Sequence, residues 1–217
     1  MTNFDERARD WDSDPMKVER ARTVAEAIRN TIPLSTDMSA LEYGCGTGLL
    51  SFALQSDLGQ ITLADTSQGM LDVLTGKITA AGVPNMHPLK VDLAIDPLPA
   101  GRFQLIYSLM TLHHIHDVTD ILGKFHALLT PGGYLLVADL DKEDGSFHTD
   151  GTTDVHQGFV RDELQELVEN AGFEKVVFST AYQIKKKVGE DEKVFPVFLM
   201  CARKEEIATG GRTPPSQ

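Results

Sequence analysis

Short apolar runs alternate with amphipathic segments along the middle of the chain. This alternation predicts a parallel β-sheet whose strands are connected by crossover helices. The runs that predict strands are residues 39–43, 60–64, 86–91, 103–108 and 134–140. The segments that predict helices are residues 48–56, 67–81, 118–129 and 161–171. The run 134–140 is almost entirely apolar, as expected for a central strand buried on both faces.

The pattern changes in the last third of the chain. Two long strand-like runs, residues 173–188 and 193–202, are joined by a short charged turn. Because a parallel return requires a longer crossover, two runs this close in sequence must pair antiparallel. The sequence therefore predicts an α/β fold with a mostly parallel sheet and an antiparallel C-terminal hairpin.

Two regions lie outside this predicted core. Residues 1–31 precede the first strand and include most of a predicted helix over 16–32. We expect them to form an N-terminal arm and helix, followed by a single main domain over residues 32–206. Residues 207–217 are rich in Gly, Pro, Thr and Ser and are expected to be a disordered tail.

The charge balance excludes some partners. With 20 basic against 32 acidic side chains, the formal net charge is -12, whereas nucleic-acid binding depends on Lys and Arg placed against phosphates. The only basic run, residues 185–187, lies beside acidic residues and is interpreted as a solvated hairpin tip. We expect no nucleic-acid partner, and either a monomer or a homodimer.

No apolar run approaches the roughly 20 residues that a membrane helix requires. The first residues lack the basic-then-apolar order of a secretory signal, so we expect a cytoplasmic protein with no membrane partner. The two cysteines, Cys45 and Cys201, have neither disulfide-framework nor metal-site spacing. Both are interpreted as small buried residues.

A glycine-rich turn follows the first predicted strand and precedes a helix. Residues 44–48 read Gly-Cys-Gly-Thr-Gly, and Asp65 lies about 20 residues further on. Glycines let the chain turn sharply and let a ligand approach the backbone, and the helix adds unpaired N–H groups and the positive end of its dipole. The arrangement of strand, turn, helix and acid indicates a ligand site rather than a plain tight turn.

Two classes of ligand compete for this turn. A dinucleotide seats its pyrophosphate on the turn, usually over G-x-G-x-x-G, whereas this chain has G-x-G-x-G with Glu42 just before it. A carboxylate at that position repels a pyrophosphate but attracts an ammonium, directly or through water. S-adenosylmethionine has a zwitterion, a ribose diol and an adenine, and no phosphate, so the turn favours S-adenosylmethionine.

Acidic residues also stand at the ends of the next two predicted strands. Asp65 is suited to accept both ribose hydroxyls, and Asp92 to accept from the adenine amino group, with Leu93 offering its backbone N–H. Each acid alone has a simpler interpretation as a turn or capping residue. Three acids at three successive strand ends, on the edge where such sheets bind ligands, favour the cofactor interpretation.

These residues resemble class I S-adenosylmethionine-dependent methyltransferases of the small-molecule type. The resemblance is carried by residues 41–48, 63–67 with 70–71, 91–93, 107–115 and 128–133, and it covers about residues 17–203. It implies a three-layer, Rossmann-like sheet of seven strands with the last strand antiparallel. The residues and the resemblance together predict a cofactor site made of Trp11, Glu42, Gly44, Cys45, Gly46, Gly48, Asp65, Thr66, Met70, Asp92, Leu93 and Ser108.

Residues 4–12 look like the flexible cap that such enzymes fold over the cofactor. Trp11 then has two interpretations that the sequence leaves open. Its aromatic face is able to attract the sulfonium cation, or the ring simply anchors the arm on the core.

Methyl transfer requires placement of the nucleophile near the methyl group, and a base is needed only if the nucleophile arrives protonated. Our candidates for a catalytic base are His113 first and His156 second, although one of His113 and His114 is expected to pack inward. The segment 141–158 is interpreted as a mobile substrate loop. We expect no metal, because residues 113, 114 and 116 lack the helical spacing or carboxylate partner of a zinc protease.

The sequence therefore predicts an enzyme that moves a methyl group from S-adenosylmethionine to a small-molecule acceptor through an O, N or S nucleophile. A protein or peptide methyltransferase and a non-catalytic S-adenosylmethionine-binding partner protein remain as alternatives, and an oxidoreductase on the same architecture is disfavoured by Glu42. The sequence does not name the acceptor.

Overall fold

A computed structural model of the chain describes residues 4–148 and 155–206. Its seven strands are β1 (Ala40–Tyr43), β2 (Ile61–Asp65), β3 (Met86–Lys90), β4 (Phe103–Leu109), β5 (Leu129–Leu140), β6 (Phe173–Val188) and β7 (Asp191–Lys204). Its helices are α1 (Phe4–Arg7), α2 (Pro15–Thr31), α3 (Leu49–Leu54), α4 (Gln68–Ala81), α5 (Val118–Leu128) and α6 (Arg161–Asn170), with 3-10 turns at Ala8–Ser13 and Leu112–His114. The predicted disordered tail, residues 207–217, lies outside the described residues.

All seven strands form one sheet in the order β3-β2-β1-β4-β5-β7-β6. The first five strands are parallel, and β7 lies antiparallel between β5 and β6. This confirms the predicted α/β fold, including the antiparallel hairpin at the C-terminus. Because the chain order reverses between β1 and β4, the carboxyl ends of these two strands open a crevice of the kind that binds ligands in doubly wound sheets.

The sheet separates two apolar layers. On one face, α2, α3 and α4 pack over a cluster that includes Val24, Leu54 and Leu74. On the other face, α5 and α6 cover a cluster that includes Phe125 and Val168. Burial of both sheet faces explains why the central strands are continuous apolar runs rather than alternating ones. Within the described residues, no helix is both long enough and apolar enough to cross a membrane.

The predicted elements agree with the observed ones within one or two residues, with one exception. Strand β5 begins at Leu129, five residues before the predicted start at Tyr134. The sequence Pro131-Gly132-Gly133 predicts a turn, but the chain remains in the sheet as an irregularity: Phe103 pairs with Leu129 and Leu105 pairs with Tyr134. An advance of two residues along β4 therefore corresponds to five along β5, so β5 carries three extra residues at this irregularity.

The N-terminal arm is helical and is held against the core. The side chain of Asp5 accepts hydrogen bonds from the backbone N–H of Gly69 (2.7 Å) and the hydroxyl of Ser67 (2.6 Å). Both donors lie at the start of α4, where a carboxylate is favoured by the unpaired N–H groups and by the helix dipole. The arm is thereby fixed on the side of the sheet that carries the glycine-rich turn.

The β6–β7 hairpin extends past the sheet and supports the loop after β5. Lys186 donates to the carbonyl of Phe147 (2.5 Å), and Lys193 donates to the carboxylate of Asp144 (2.7 Å). Lys186 is half-buried, so the interpretation of residues 185–187 as a fully solvated tip is wrong at this residue. The hairpin instead positions the loop that carries His148.

Candidate active site

The glycine-rich turn adopts a conformation that requires glycine. Gly44, Gly46 and Gly48 have φ angles of +70°, +52° and +78°, in the region that side chains disfavour. At Gly44 a Cβ atom would also lie 2.2 Å from the Cγ2 atom of Thr111. The turn is braced by Asp65, whose Oδ2 accepts the backbone N–H of Gly46 at 2.7 Å.

A cavity of about 920 Å³ opens beside this turn, at the carboxyl ends of the parallel strands. It is large enough for a cofactor together with a small second ligand. Ten of the predicted site residues line it: Trp11, Glu42, Gly44, Cys45, Gly46, Asp65, Thr66, Met70, Asp92 and His113. Four predicted residues do not line it: Gly48, Leu93, Ser108 and His156.

Two of these four residues, Gly48 and Leu93, have structural roles that explain their position. Gly48 begins α3 and packs so closely that a Cβ atom would lie 2.6 Å from a methyl carbon of Leu74. Leu93 is fully buried, and its carbonyl accepts a hydrogen bond from Lys124 at 2.6 Å. Its backbone amide is directed to the hydroxyl of Tyr43 rather than into the cavity.

The end of strand β4 reaches the cavity one residue later than predicted. Ser108 is buried within the sheet, whereas Leu109, Met110 and Thr111 line the cavity. Met110 has a φ angle of +56°, which is rare for a residue with a side chain. This backbone conformation turns the chain toward Gly44, and no sequence signal marks it.

Glu42 differs in charge from the sequence-based expectation. It is only 2% exposed and accepts a hydrogen bond from the hydroxyl of Ser51. Burial raises its pKa to about 8; the charge of Asp65 adds to this effect, and Ser51 and Lys77 oppose it. At neutral pH the free protein therefore keeps Glu42 mostly protonated. The fixed negative charge that the sequence placed beside the turn is thus largely absent in the free protein, and Glu42 repels a pyrophosphate less strongly than expected.

The two other acids at the strand ends use part of their hydrogen-bonding capacity within the protein. Asp65 also accepts the backbone N–H of Ser67 at 2.8 Å, and burial raises its pKa despite this bond and the one from Gly46. Asp92 accepts the backbone N–H of Ala94 at 2.9 Å. Each carboxylate oxygen has two acceptor sites, so both acids keep capacity for a ligand in the cavity. Their roles toward ribose and adenine stay predictions.

Trp11 lines the cavity but already carries cations on its ring. The ammonium of Lys17 lies 3.7 Å from the ring centroid, and the guanidinium carbon of Arg7 lies 5.4 Å from it. Phe4 packs edge-on against the same ring at 6.0 Å. These contacts support the interpretation of Trp11 as the anchor of the arm, and its role toward the sulfonium stays a prediction.

Close to Trp11, a second acid ties the arm to the cofactor turn. The carboxylate of Asp12 accepts hydrogen bonds from the hydroxyl of Thr47 and from the ammonium of Lys77, the latter at 2.5 Å. Lys77 also donates to the carbonyl of Thr47 at 2.8 Å. We refer to the contacts of Asp5 and Asp12 with α4 and the turn as the arm clasp.

His113 is buried and paired with a buried carboxylate. Its Nδ1 atom lies 2.6 Å from Oδ1 of Asp139, and the two side chains are 1% and 0% exposed. Burial opposes ionisation of Asp139, but the attraction of His113 and hydrogen bonds from His113 and Leu140 outweigh it and lower the pKa of Asp139. When the His113 ring is neutral, the carboxylate holds the proton on Nδ1, and the lone pair is then on Nε2. Within the described residues, Nε2 of His113 has no hydrogen-bond partner.

The structure does not place His156 at the cavity. One ring nitrogen of His156 lies 2.9 Å from the carbonyl of Ile115, and its backbone N–H donates to the carbonyl of His113 at 2.8 Å. These contacts tie the end of the segment 141–158 to the turn after β4; residues 149–154, part of the predicted substrate loop, lie outside the described residues. His156 thus holds His113 in place, whereas His148 of the same loop lines the cavity.

A group of histidines gathers at the end of the cavity beyond the glycine turn. A ring nitrogen on each of His113, His114 and His148 lies within 4.8 Å of one on each of the other two. The sequence-based argument about metals considered residues 113, 114 and 116 instead, because these are close together in the chain. The loop after β5 brings in His148, and the end of β5 brings in the carboxylate partner Asp139 that the sequence-based argument found lacking.

Sequence reasoning also missed two charged residues of the site. Arg20 of α2 lines the cavity, and its Nε atom is buried without a hydrogen-bond partner in the described part of the chain. A signal for Arg20 existed, since it is a cation adjoining the apolar stripe of the predicted helix. A signal for Asp139 existed as well, since it is an acid inside an otherwise apolar strand, where an unpaired charge is costly.

Comparisons with known proteins show the family to which this chain belongs. Residues 16–177 match a family model described as a methyltransferase domain. Among solved structures, a SAM-dependent methyltransferase from Methanosarcina mazei superposes with a TM-score of 0.67 at 19% identity, covering 83% of this chain and 98% of that one. The chain belongs to the class I S-adenosylmethionine-dependent methyltransferases, with S-adenosylmethionine as the cofactor.

Curated relatives carry related descriptions. An uncharacterized methyltransferase of Schizosaccharomyces pombe is 33% identical over 149 residues, covering 62% of this chain and 52% of that protein. A ubiquinone biosynthesis O-methyltransferase of Marinobacter nauticus is 30% identical over 110 residues, covering 50% of this chain and 46% of that protein. The aligned part of the chain spans about half the length of these two relatives.

Proposed function

We propose that this chain transfers the methyl group of S-adenosylmethionine to a small-molecule acceptor that attacks through an oxygen, nitrogen or sulfur atom. The observation that carries the proposal is the cavity itself. A single space of about 920 Å³ contains both the glycine-rich turn and His113, the residue held by Asp139. A cofactor seated on the turn leaves room for an acceptor at the histidine end, so donor and acceptor meet in one enclosed place.

The walls that the arm and the loop after β5 add to the cavity favour a small acceptor over a protein. Phe4, Arg7 and Trp11 of the arm and Phe147 of the loop after β5 contribute to its walls. Two of the similar proteins are named for small molecules. The Marinobacter relative is named for ubiquinone biosynthesis. A neighbour from Haemonchus contortus is a phosphoethanolamine N-methyltransferase; it has a TM-score of 0.67 at 15% identity and covers 82% of this chain and 51% of that one.

We infer that Arg20 and Glu42 hold the methionine end of the cofactor. The guanidinium of Arg20 lines the cavity and retains a free donor at Nε, and a carboxylate is the group it pairs with best. Glu42 lies beside the glycine-rich turn, where it accepts from an ammonium once ionised. The ribose then faces Asp65 and the adenine faces Asp92, as the sequence predicts.

His113 is the residue we assign to activation of the acceptor. Its Nε2 atom has no hydrogen-bond partner among the described residues, and the contact of Nδ1 with Asp139 fixes the orientation of the ring. A hydroxyl or thiol loses its proton as it attacks the methyl group, and an ammonium must lose a proton before its nitrogen attacks. Asp139 acts through His113 and is a positioning residue.

Two measurements test this proposal. Calorimetry should show binding of S-adenosylmethionine and of its demethylated product, and no binding of NAD. Formation of the demethylated product should then be followed over a panel of phenols, amines and thiols. With an accepted substrate, Asp139→Asn should lower kcat at least about 100-fold, as expected for a lost general base or its orienting partner, and leave the cofactor Kd unchanged.

Two results would contradict the proposal. If NAD binds and S-adenosylmethionine does not, the cofactor assignment is wrong. If the cofactor binds, every acceptor fails and the protein co-purifies with a larger partner that restores methylation, the non-catalytic or protein-directed alternatives are favoured instead.

A further inference from the structure

The three histidines at the acceptor end of the cavity form a compact group of nitrogen donors. His113, His114 and His148 each offer a ring nitrogen within 4.8 Å of the other two, and their ring centroids are 4.1, 5.3 and 5.5 Å apart. No acidic residue belongs to the group. Imidazole donors without carboxylates suit zinc and other late first-row metals rather than Mg²⁺ or Ca²⁺.

A second observation points independently to a ligand. Nε2 of His113 is buried without a hydrogen-bond partner among the described residues, and burying such an atom unpaired is costly. Its other nitrogen is held by Asp139 at 2.6 Å. A carboxylate that fixes Nδ1–H of a histidine and presents Nε2 as the donor is the usual outer-shell arrangement of metal-binding histidines.

We propose that His113, His114 and His148 bind a divalent metal ion of the zinc class. Three protein donors leave a fourth position open, which is the pattern of catalytic rather than structural zinc sites. Tetrahedral donors 2.0–2.1 Å from zinc lie about 3.4 Å apart. Side-chain rotation therefore has to bring the nitrogens at most about 1.4 Å closer together than the 4.8 Å limit.

This inference rests on the proposed function and specifies how the lone pair of His113 acts. The open position binds the acceptor through an oxygen or a sulfur, because these are the nucleophiles whose deprotonation a metal ion promotes most directly. The acceptor releases its proton to solvent and stays bound as an alkoxide, phenolate or thiolate. Its lone pair forms the bond to the methyl carbon, while the carbon–sulfur bond of the cofactor breaks and its electron pair returns to sulfur. The products are the methylated acceptor, the demethylated cofactor and one proton.

The test measures binding of the metal alone. The full chain, prepared without a polyhistidine tag and stripped with a chelator, is titrated with Co²⁺ and followed by its visible d–d absorption, and Zn²⁺ is then added as a competitor. We expect one equivalent of Co²⁺ with the intense bands of a tetrahedral site, and displacement of these bands by Zn²⁺.

Variants separate a built site from loose binding. His148→Ala removes a donor from a loop without touching the buried pair and should weaken Co²⁺ binding at least tenfold. Asp139→Asn keeps the shape of the side chain and should weaken Co²⁺ binding by about 10–100-fold, the usual cost of losing an outer-shell partner. The matched control is His87→Ala, since His87 is an exposed histidine on β3 that contacts Gln60; it should leave Co²⁺ binding unchanged.

The possible failures are distinguishable. The metal site is refuted if the folded protein binds S-adenosylmethionine but takes up no stoichiometric Co²⁺ or Zn²⁺. It is also refuted if His148→Ala binds these metals as tightly as the wild type. In either case direct proton acceptance by His113 remains. If the metal binds and the cofactor does not, the proposed methyl transfer fails while the metal site stands.

Discussion

Glu42 offers the sharpest test of the electrostatics of this site. It is a carboxyl group in the central strand β1, 2% exposed, with its pKa raised to about 8 mainly by burial. In the unfolded chain the same group has its ordinary value of 4.5. Folding therefore takes up a proton between these two values. We predict that Glu42→Gln, which keeps the shape and the hydrogen-bonding oxygen but does not titrate, changes the pH dependence of stability.

The direction of this pH dependence follows from the raised pKa of Glu42. The contribution of Glu42 to the free energy of unfolding is fully present below pH 4.5 and is lost as the pH rises toward 8. Above pH 4.5 the unfolded chain releases this proton freely, whereas the folded protein must either keep it or bury a charge. A shift from 4.5 to about 8 corresponds to an upper limit of about 5 kcal/mol at 1.36 kcal/mol per unit. Between pH 6 and pH 9 the loss amounts to about 3 kcal/mol, a large part of the 5–15 kcal/mol that stabilises a typical domain.

Urea unfolding followed by circular dichroism at pH 6, 7, 8 and 9, without cofactor, measures this difference. The free energy of unfolding of Glu42→Gln should rise relative to that of the wild type by about 3 kcal/mol across the range. Glu26→Gln is the matched control, since Glu26 is exposed on α2, and its curve should run parallel to the wild type. Parallel curves for Glu42→Gln as well would refute the assignment of a protonated carboxyl group.

The same substitution has a second readout with the cofactor. An ammonium placed next to Glu42 favours its ionised form, so binding of S-adenosylmethionine should release a proton near neutral pH. Calorimetry in buffers with different ionisation enthalpies counts that proton. The difference in release between the wild type and Glu42→Gln isolates Glu42 from the titration of the cofactor's own amine.

Two further predictions concern the loop after β5 and the cofactor cradle. Gly158→Ala should destabilise the protein by at least about 2 kcal/mol, because φ is +66° and the new Cβ would lie 2.2 Å from the carbonyl oxygen of Asp141. The control is Gly123→Ala, in an open position on α5, which should be neutral or stabilising by up to about 1 kcal/mol. Equal unfolding midpoints for the two variants would contradict the predicted strain at Gly158. Asp65→Ala should weaken S-adenosylmethionine binding at least about tenfold in calorimetry, since it removes a charged acceptor worth roughly 1.5–3 kcal/mol. The control Asp57→Ala removes a surface ion pair with α2 and should leave the affinity unchanged. An unaltered affinity for Asp65→Ala would exclude Asp65 from the cofactor site.

The order of the elements was predictable from the sequence because the physics that forms them is local. Central parallel strands are buried on both faces and therefore read as apolar runs, and the short charged turn after Val188 permits only an antiparallel return. The start of β5 was not predictable in the same way. Pro131 and the two glycines after it are residues typical of a turn, and they lie within β5 because the residues on either side, Leu129 and Tyr134, both pair with β4.

The conformation of the glycine-rich turn was predictable where the backbone itself constrains the residue type, as at Gly44 and Gly46. The site was less predictable where partners come from distant segments. His113 and Asp139 are 26 positions apart and meet only because β4 and β5 are neighbours. His156 is of a residue type common in catalysis, but its hydrogen bonds to the backbone near His113 indicate a structural role. Side-chain direction, rather than residue type, decided between them.

The arm clasp has a kinetic consequence. Asp5 is bonded to the start of α4 and Asp12 to the glycine-rich turn, so the arm rests on the elements that surround the cofactor. A nucleoside as large as S-adenosylmethionine leaves such a covered cavity only after the arm has lifted. The residence time of the spent cofactor is therefore coupled to the lifetime of a few carboxylate hydrogen bonds. We therefore expect opening of the arm, rather than the methyl transfer step, to set the rate of turnover.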